Sequence, residues 1–225
     1  IKADIRRDLI LKKGEFDRFE GTIKKLNEVK LIVEPGARID FTSCRLISED
    51  PLIFRGNDND PIWISTTIET ENKSENPRQF AEIVAKQLQF DHCIIEGRLQ
   101  LRSGTKDQSS TRMINSRISG SIDFHSIQSI ELKGNYMNRS EMGISFSESE
   151  QVSITDSLFL NNQRTLQFNN CKQTKIKYNT FYQNSSTLIT DAKTDLSDNF
   201  WYGADPEGIR KGIQSNKPVK LTPQL

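Results

Sequence analysis

Apolar residues in this chain recur with a period too long for one helix or hairpin. From Phe90 a six-residue pattern returns every 19 to 23 residues: Phe-Asp-His-Cys-Ile-Ile at Phe90, Met-Ile-Asn-Ser-Arg-Ile at Met113, Leu-Lys-Gly-Asn-Tyr-Met at Leu132. Further copies begin at Ile154, Ile176 and Leu196. The first and sixth positions are apolar in every copy, from Phe90/Ile95 to Leu196/Trp201. The fourth is small or amide-bearing: Cys93, Ser116, Asn135, Ser157, Asn179 and Asn199. A fixed period of this length is the mark of a solenoid, in which no repeat buries its own apolar face.

Within each repeat the apolar residues alternate, as strands with one buried face require. One pair opens the hexad (Leu88 and Phe90, Ile130 and Leu132, Val152 and Ile154). A second follows it (Leu99 and Leu101, Ile122 and Phe124, Ile144 and Phe146, Leu166 and Phe168), and Leu188 and Thr190 continue that column. Two or three short strands per turn of about 22 residues describe an all-β fold, a single-stranded right-handed parallel β-helix. Helical repeats need a 3.6-residue period, and leucine-rich repeats need a denser leucine pattern followed by a helix; neither is present. The fourth hexad position is expected at the corner after the first strand. Stacked Asn side chains there can bond between coils, a structural role rather than a catalytic one.

The pattern predicts one β-helix domain over 1–225. Residues 1–87 form irregular N-terminal coils, 88–201 regular coils, and 202–225 a C-terminal cap and tail. In the first part Leu31, Val33, Ile39 and Phe41 flank the turn Glu34-Pro35-Gly36, and Leu52, Phe54, Ile62 and Ile64 flank Gly56–Pro61. Thr66–Asn76 is polar and charged and reads as an excursion from one coil. Pro77–Lys86 is compatible with a short helix or an irregular strand. Asp205–Ile213 reads as a capping helix with Pro206 near its start, and Ser215–Leu225 as an extended tail.

The 31 basic and 30 acidic residues balance and give no global argument for nucleic acid. No apolar run of membrane-spanning length occurs. The three cysteines, Cys44, Cys93 and Cys171, are widely spaced and odd in number, as expected of buried core thiols rather than a disulfide framework or zinc site. The sequence opens on Ile1, as expected of a segment processed or truncated from a longer protein.

The stretches Leu-Ile-Val-Glu-Pro-Gly-Ala-Arg-Ile-Asp-Phe (31–41), Pro-Leu-Ile-Phe-Arg-Gly (51–56) and Asp-Pro-Ile-Trp-Ile (60–64) resemble the right-handed parallel β-helix, pectate-lyase-like family, especially its bacterial envelope members. Asn-Phe-Trp-Tyr-Gly-Ala-Asp-Pro-Glu (199–207) looks like that family's closing coil and short helix. The resemblance covers Leu9 to Ile213. It implies an extracellular or cell-envelope location and leaves activity open, because the family mixes lyases, epimerases, hydrolases and non-catalytic modules.

Among outward positions, Arg112, Lys133, Lys175 and Lys177 give one strand face a basic stripe, interrupted by Glu131, that could hold the carboxylates of a uronic-acid polymer. A solvated face of mixed charge is the plainer reading. Gly-Ser-Ile-Asp-Phe (120–124) is similar to a pectin methylesterase segment and aims Asp123 outward, but Gln100, one coil earlier, supplies no second carboxylate. The paired aspartates and Gly-His-Gly of polygalacturonases and the Asp-Pro-His-Asp of alginate epimerases are missing. His92 and His125 fall in different coils, and Asn57–Asp60 reads as a turn rather than a calcium loop. Sequons occur at Asn72, Asn138 and Asn184. Tyr136, Tyr182 and Tyr202 lie near the corner after the hexad, with no sugar-stacking row evident from Tyr136 and Tyr182. Trp63 points away from Ile62 and Ile64, beside the 66–76 excursion, as an anchor for a partner would. These features favour a non-catalytic scaffold or binding surface for protein or polysaccharide, with no cofactor and no metal. A lyase or epimerase acting on an anionic glycan is the alternative.

Overall fold

The computed structural model describes residues 2–66, 81–105, 108–191, 193–202 and 206–221. The chain winds as a parallel β-solenoid of about 9 turns, with coils of roughly 22 residues. Each full coil contributes three strands, so the solenoid has three faces. The hexad-opening strands stack into an eight-stranded sheet running from Leu52–Arg55 through Gln87–Asp91, Ser110–Ile114, Ser129–Lys133, Gln151–Thr155 and Gln173–Lys177 to Thr194–Asp195 and Val219–Lys220. The other two faces follow in each coil and are joined by the long strands Cys93–Arg102 and Arg117–His125. Those strands turn the edge between faces at Gly97 and Gly120. A Cβ built on Gly120 would lie 1.9 Å from the Gly97 carbonyl oxygen, and Gly97 itself has φ +90°. Only glycine fits that approach.

All strand pairs are parallel and in register, coil on coil, so equivalent residues stack. On the eight-stranded sheet Phe54, Phe90, Met113, Leu132, Ile154 and Ile176 form one inward column. On the second face of each coil Ile64, Ile95, Ile118, Met137, Phe159, Phe181 and Trp201 form another. On the third, Phe124, Phe146 and Phe168 stack with ring centroids 5.2 and 4.8 Å apart. All are essentially dry, as the alternation requires.

The corner between the first two faces has a repeated backbone solution. Hexad position three is left-handed in all six copies, with φ between 50° and 64°: His92, Asn115, Gly134, Asp156, Tyr178 and Asp198. The position-four side chain then turns inward and caps the backbone of the preceding coil. Asn135 Oδ1 accepts from the Ser116 amide, Asn179 Oδ1 from Ser157 and Asn199 Oδ1 from Asn179, each at 3.0 Å. Ser116 and Ser157 hydroxyls do the same for Cys93 and Asn135 at 3.1 Å. A second ladder, Ser140–Asn162–Asn184, serves the following corner at 2.9 Å. Asn184 is thus engaged within the stack rather than free as a glycan acceptor.

The ends differ from the sequence expectation in detail. The segment read as helix or irregular strand contains the strand Ala81–Ala85, paired with Leu46 and Leu99 neighbours. The excursion lies outside the described residues except Thr66, which is buried and donates to the Glu96 carbonyl. The capping helix is Pro206–Lys211, shorter than the 205–213 pattern, because Ile213–Ser215 returns as a strand on Leu188–Thr190. Ile209 is buried, fixing this helix at the end of the core.

Two substitutions test this register. Ile154→Asp puts an unpaired charge into a dry column and should cost about 4 kcal/mol or more, whereas outward Ser153→Asp should stay within about 0.5 kcal/mol. Equal losses in urea titrations followed by circular dichroism would put the faces the wrong way round. Asn179→Ala strands the Ser157 amide and the Ile154 carbonyl that Asn179 now serves and should cost about 2–4 kcal/mol. Outward Asn138→Ala should leave the melting curve in place.

Candidate functional site

The eight-stranded sheet presents the outward column Gln89, Arg112, Glu131, Ser153, Lys175 and Asp195, with Ile114, Lys133, Thr155 and Lys177 alongside. The four basic residues expected on one face are therefore on one face, in two columns. Arg112 Nε lies 2.9 Å from Glu131 Oε2, and Lys177 Nζ 2.9 Å from Asp198 Oδ2. The hydrogen bond to Asp198, and then its charge, hold the Lys177 ammonium above the usual lysine range. Lys133 and Lys175 are exposed and form no ion pair among the described residues. An open groove of about 730 Å³ lies along this sheet, lined by Ser129, Glu131, Gln151, Ser153, Gln173 and Lys175, with Lys193 at its edge. Its walls offer amides, hydroxyls and cations in rows one coil apart.

Trp63 does not join them. It sits on the next face, 36% exposed, with the Arg38 guanidinium 5.9 Å from its ring centroid. There, after Phe16 and Arg38, it is part of an outward row that runs on through the later coils. Hexad position five is a strand position, pointing out between two inward neighbours, so Ile94, Arg117, Tyr136, Leu158, Thr180 and Phe200 stack in successive coils. Tyr182 and Tyr202 neighbour each other in the adjacent column, their rings tilted with centroids 5.4 Å apart. Tyr136 and Tyr182 belong to different columns, so they form no row with each other.

The remaining titratable candidates are engaged in structure. Asp123 Oδ2 receives Arg98 Nε and Nη2, each at 3.0 Å, and its Oδ1 accepts from Ser145 Oγ. Its column neighbour is Gln100, so no second carboxylate faces it. Glu82 lies between Arg45 at 2.7 Å and Arg102 at 3.5 Å. His92 stands between Asp91 and Asp58, 2.7 and 3.2 Å away, and His125 lies in the next coil, 3.9 Å from Glu148. Asn57 Oδ1 accepts from Asn59 and Asp60 amides, a simple turn. Among the described residues no group of three or more His, Cys, Asp or Glu could hold a metal ion.

The profile of a known family, NosD, described as periplasmic copper-binding protein, matches residues 100–216, more than half of the chain. The chain belongs to the NosD family. Neither a curated protein nor a solved structure matches it. The NosD match takes in the groove and most of the position-five row, and it places the chain with an envelope family. No helix among the described residues is long and apolar enough to cross a membrane.

All three thiols are buried and free. Burial, with a smaller push from Asp40, raises Cys44 from 9.0 to about 12, and burial does the same to Cys93. Cys171 is raised too, again chiefly by burial. The fold therefore favours the protonated thiols. Their contribution to stability is intact below pH 9 and is lost as pH climbs from 9 toward 12. Iodoacetamide should leave the native protein unlabelled at pH 8 and label all three cysteines in urea. Rapid native labelling at Cys93 would contradict this burial.

Proposed function

We propose that this chain is a non-catalytic β-helix module of an envelope protein, in which residues 1–225 act as one rigid unit presenting a binding surface. The groove on the eight-stranded sheet carries the reading. Lys175 lines it with charge that no ion pair among the described residues neutralises, and Lys133 adds the same on the adjacent column of that face, beside rows of Gln and Ser that can donate to and accept from an extended ligand. Arg112 and Lys177, already paired, frame the same face. Its ligand is an acidic chain, a uronate-type glycan or an acidic protein surface, lying across several coils.

Copper, named in the family's description, has no evident seat here. All the cysteines, histidines and methionines of the sequence fall within the described residues. The three thiols and Met113 and Met137 are buried in separate columns, Met142 is exposed on a turn, and the histidines sit in different coils against carboxylates. Soft ligands that do not converge make no copper site. Catalysis is disfavoured for a parallel reason: the outward carboxylate Asp123 is held by Arg98 and Ser145 and faces no partner acid.

Isothermal titration with polygalacturonate should show salt-sensitive binding. Lys133→Glu with Lys175→Glu should weaken it at least tenfold, while the melting temperature holds. Unsaturated-uronate absorbance should stay flat over hours. A steady rise that Lys133→Ala abolishes would replace this reading with a lyase.

A further inference from the structure

The outward row at hexad position five has the wrong chemistry for a solvated strand face. Most outward columns are mainly polar, as in Gln100, Asp123, Ser145 and Gln167 before Ile189, with isolated aliphatics such as Ile10, Ile32 and Ile53 on the first face. In this row Trp63, Ile94, Arg117, Tyr136 and Leu158 follow one another in consecutive coils. Thr180 and Phe200 continue it to the last coil. Toward that end the neighbouring column also turns apolar, as Asn138 gives way to Leu160, Tyr182 and Tyr202. Phe200 is 46% exposed and Tyr202 71%. Contiguous apolar surface of this kind is what docking surfaces show, and aromatic residues with arginine are the composition of interface centres.

Charge narrows the occupant. Arg117 and Arg139, both exposed, make no ion pair among the described residues, and Arg38 lies over Trp63 at the far end of the row. From Arg117 to Phe200 neither outward column holds a carboxylate. On the corner to one side lie Asp156 and, two coils on, Asp198, which is already paired to Lys177; on the other side the exposed Glu141 follows Arg139 by two residues. The two outward columns are thus apolar with arginine as their only charge. Sugars stack on flat aromatic rings, whereas Leu158, Leu160 and Ile94 offer branched aliphatic groups that pack against protein side chains.

We infer that this face docks an acidic, apolar segment of a partner protein, whose apolar side chains cover Tyr136, Leu158, Tyr182 and Phe200 while its carboxylates meet Arg117 and Arg139. The footprint spans five coils, about 20 Å at the strand spacing of ~4.8 Å, which about six extended residues would cover. It shares no residue with the groove on the eight-stranded sheet, so it stands or falls independently of that proposal.

The test uses the intact chain and two dansylated twelve-residue peptides of equal length. One is half Glu and half Leu and Phe; the other carries Lys in place of Glu. Anisotropy should show the acidic peptide binding and the basic one not. Arg117→Glu with Phe200→Ser should weaken the acidic peptide at least tenfold without moving the melting temperature, and Lys175→Glu should leave it unchanged. Equal binding of both peptides, or full affinity in the Arg117/Phe200 variant, would overturn the inference. Loss of binding in Lys175→Glu would do so as well, by moving the peptide to the groove. Sedimentation revealing a dimer that Phe200→Ser dissociates would assign the face to a second copy instead. Displacement of the peptide by neutral cello-oligosaccharides would assign it to a glycan.

Discussion

The hydrogen bond from a corner backbone amide to the Asn or Ser side chain one coil further on is the interaction on which the rest of the structure depends. Strand ladders alone would permit neighbouring coils to slip by two residues and still bury apolar side chains. The buried amides of Asn135, Asn179 and Asn199 forbid that slip. A displaced coil would leave a dry amide group and a dry backbone N–H without partners at once. With the corners locked, the phenylalanine stacks inside follow, and so does the alignment of every outward row. The left-handed residue before each corner carries a conformational cost for side chains such as Tyr178 and His92, and it persists because the ladder beside it is repeated coil after coil.

That lock separates two kinds of position. Inward columns are interchangeable among Phe, Leu, Ile and Met as long as volume is kept, and they say little about what the protein does. Outward columns carry no folding duty, so their chemistry is informative. On one face it is amide, hydroxyl and cation over a groove. On the next it is tryptophan, tyrosine, leucine and arginine. Membership of the NosD family sets this solenoid in an envelope context.

Much of this was legible in the residues alone. The hexad, its period and the alternating pairs identify the coil, the inward columns and the corner amides, and the structure keeps all of them. The outward placement of Arg112, Lys133, Lys175 and Lys177 also follows from alternation, though not their pairing with Glu131 and Asp198, because an ion pair depends on rotamers that period alone does not determine. The face bearing Tyr136 and Phe200 is hard to read from sequence because only three residues separate the corner from the next bend in most coils, too short a run to show alternation. Its signal was present as a column: Ile94, Arg117, Tyr136, Leu158, Thr180 and Phe200, one per repeat. Residues 77–86 leave helix and strand both open for a different reason, since the strand Ala81–Ala85 is buried along its whole length and shows no period at all.

The in-register stack also makes the molecule a ruler. Position along its axis comes only in whole coils of ~4.8 Å, and direction around it comes only as one of three faces. A deletion or duplication of one repeat of about 22 residues would move whatever binds on either side of it by a single such step, without rotating one relative to the other. In chains built this way, the distance between two bound partners can therefore change by gain or loss of repeats while each binding face stays chemically intact.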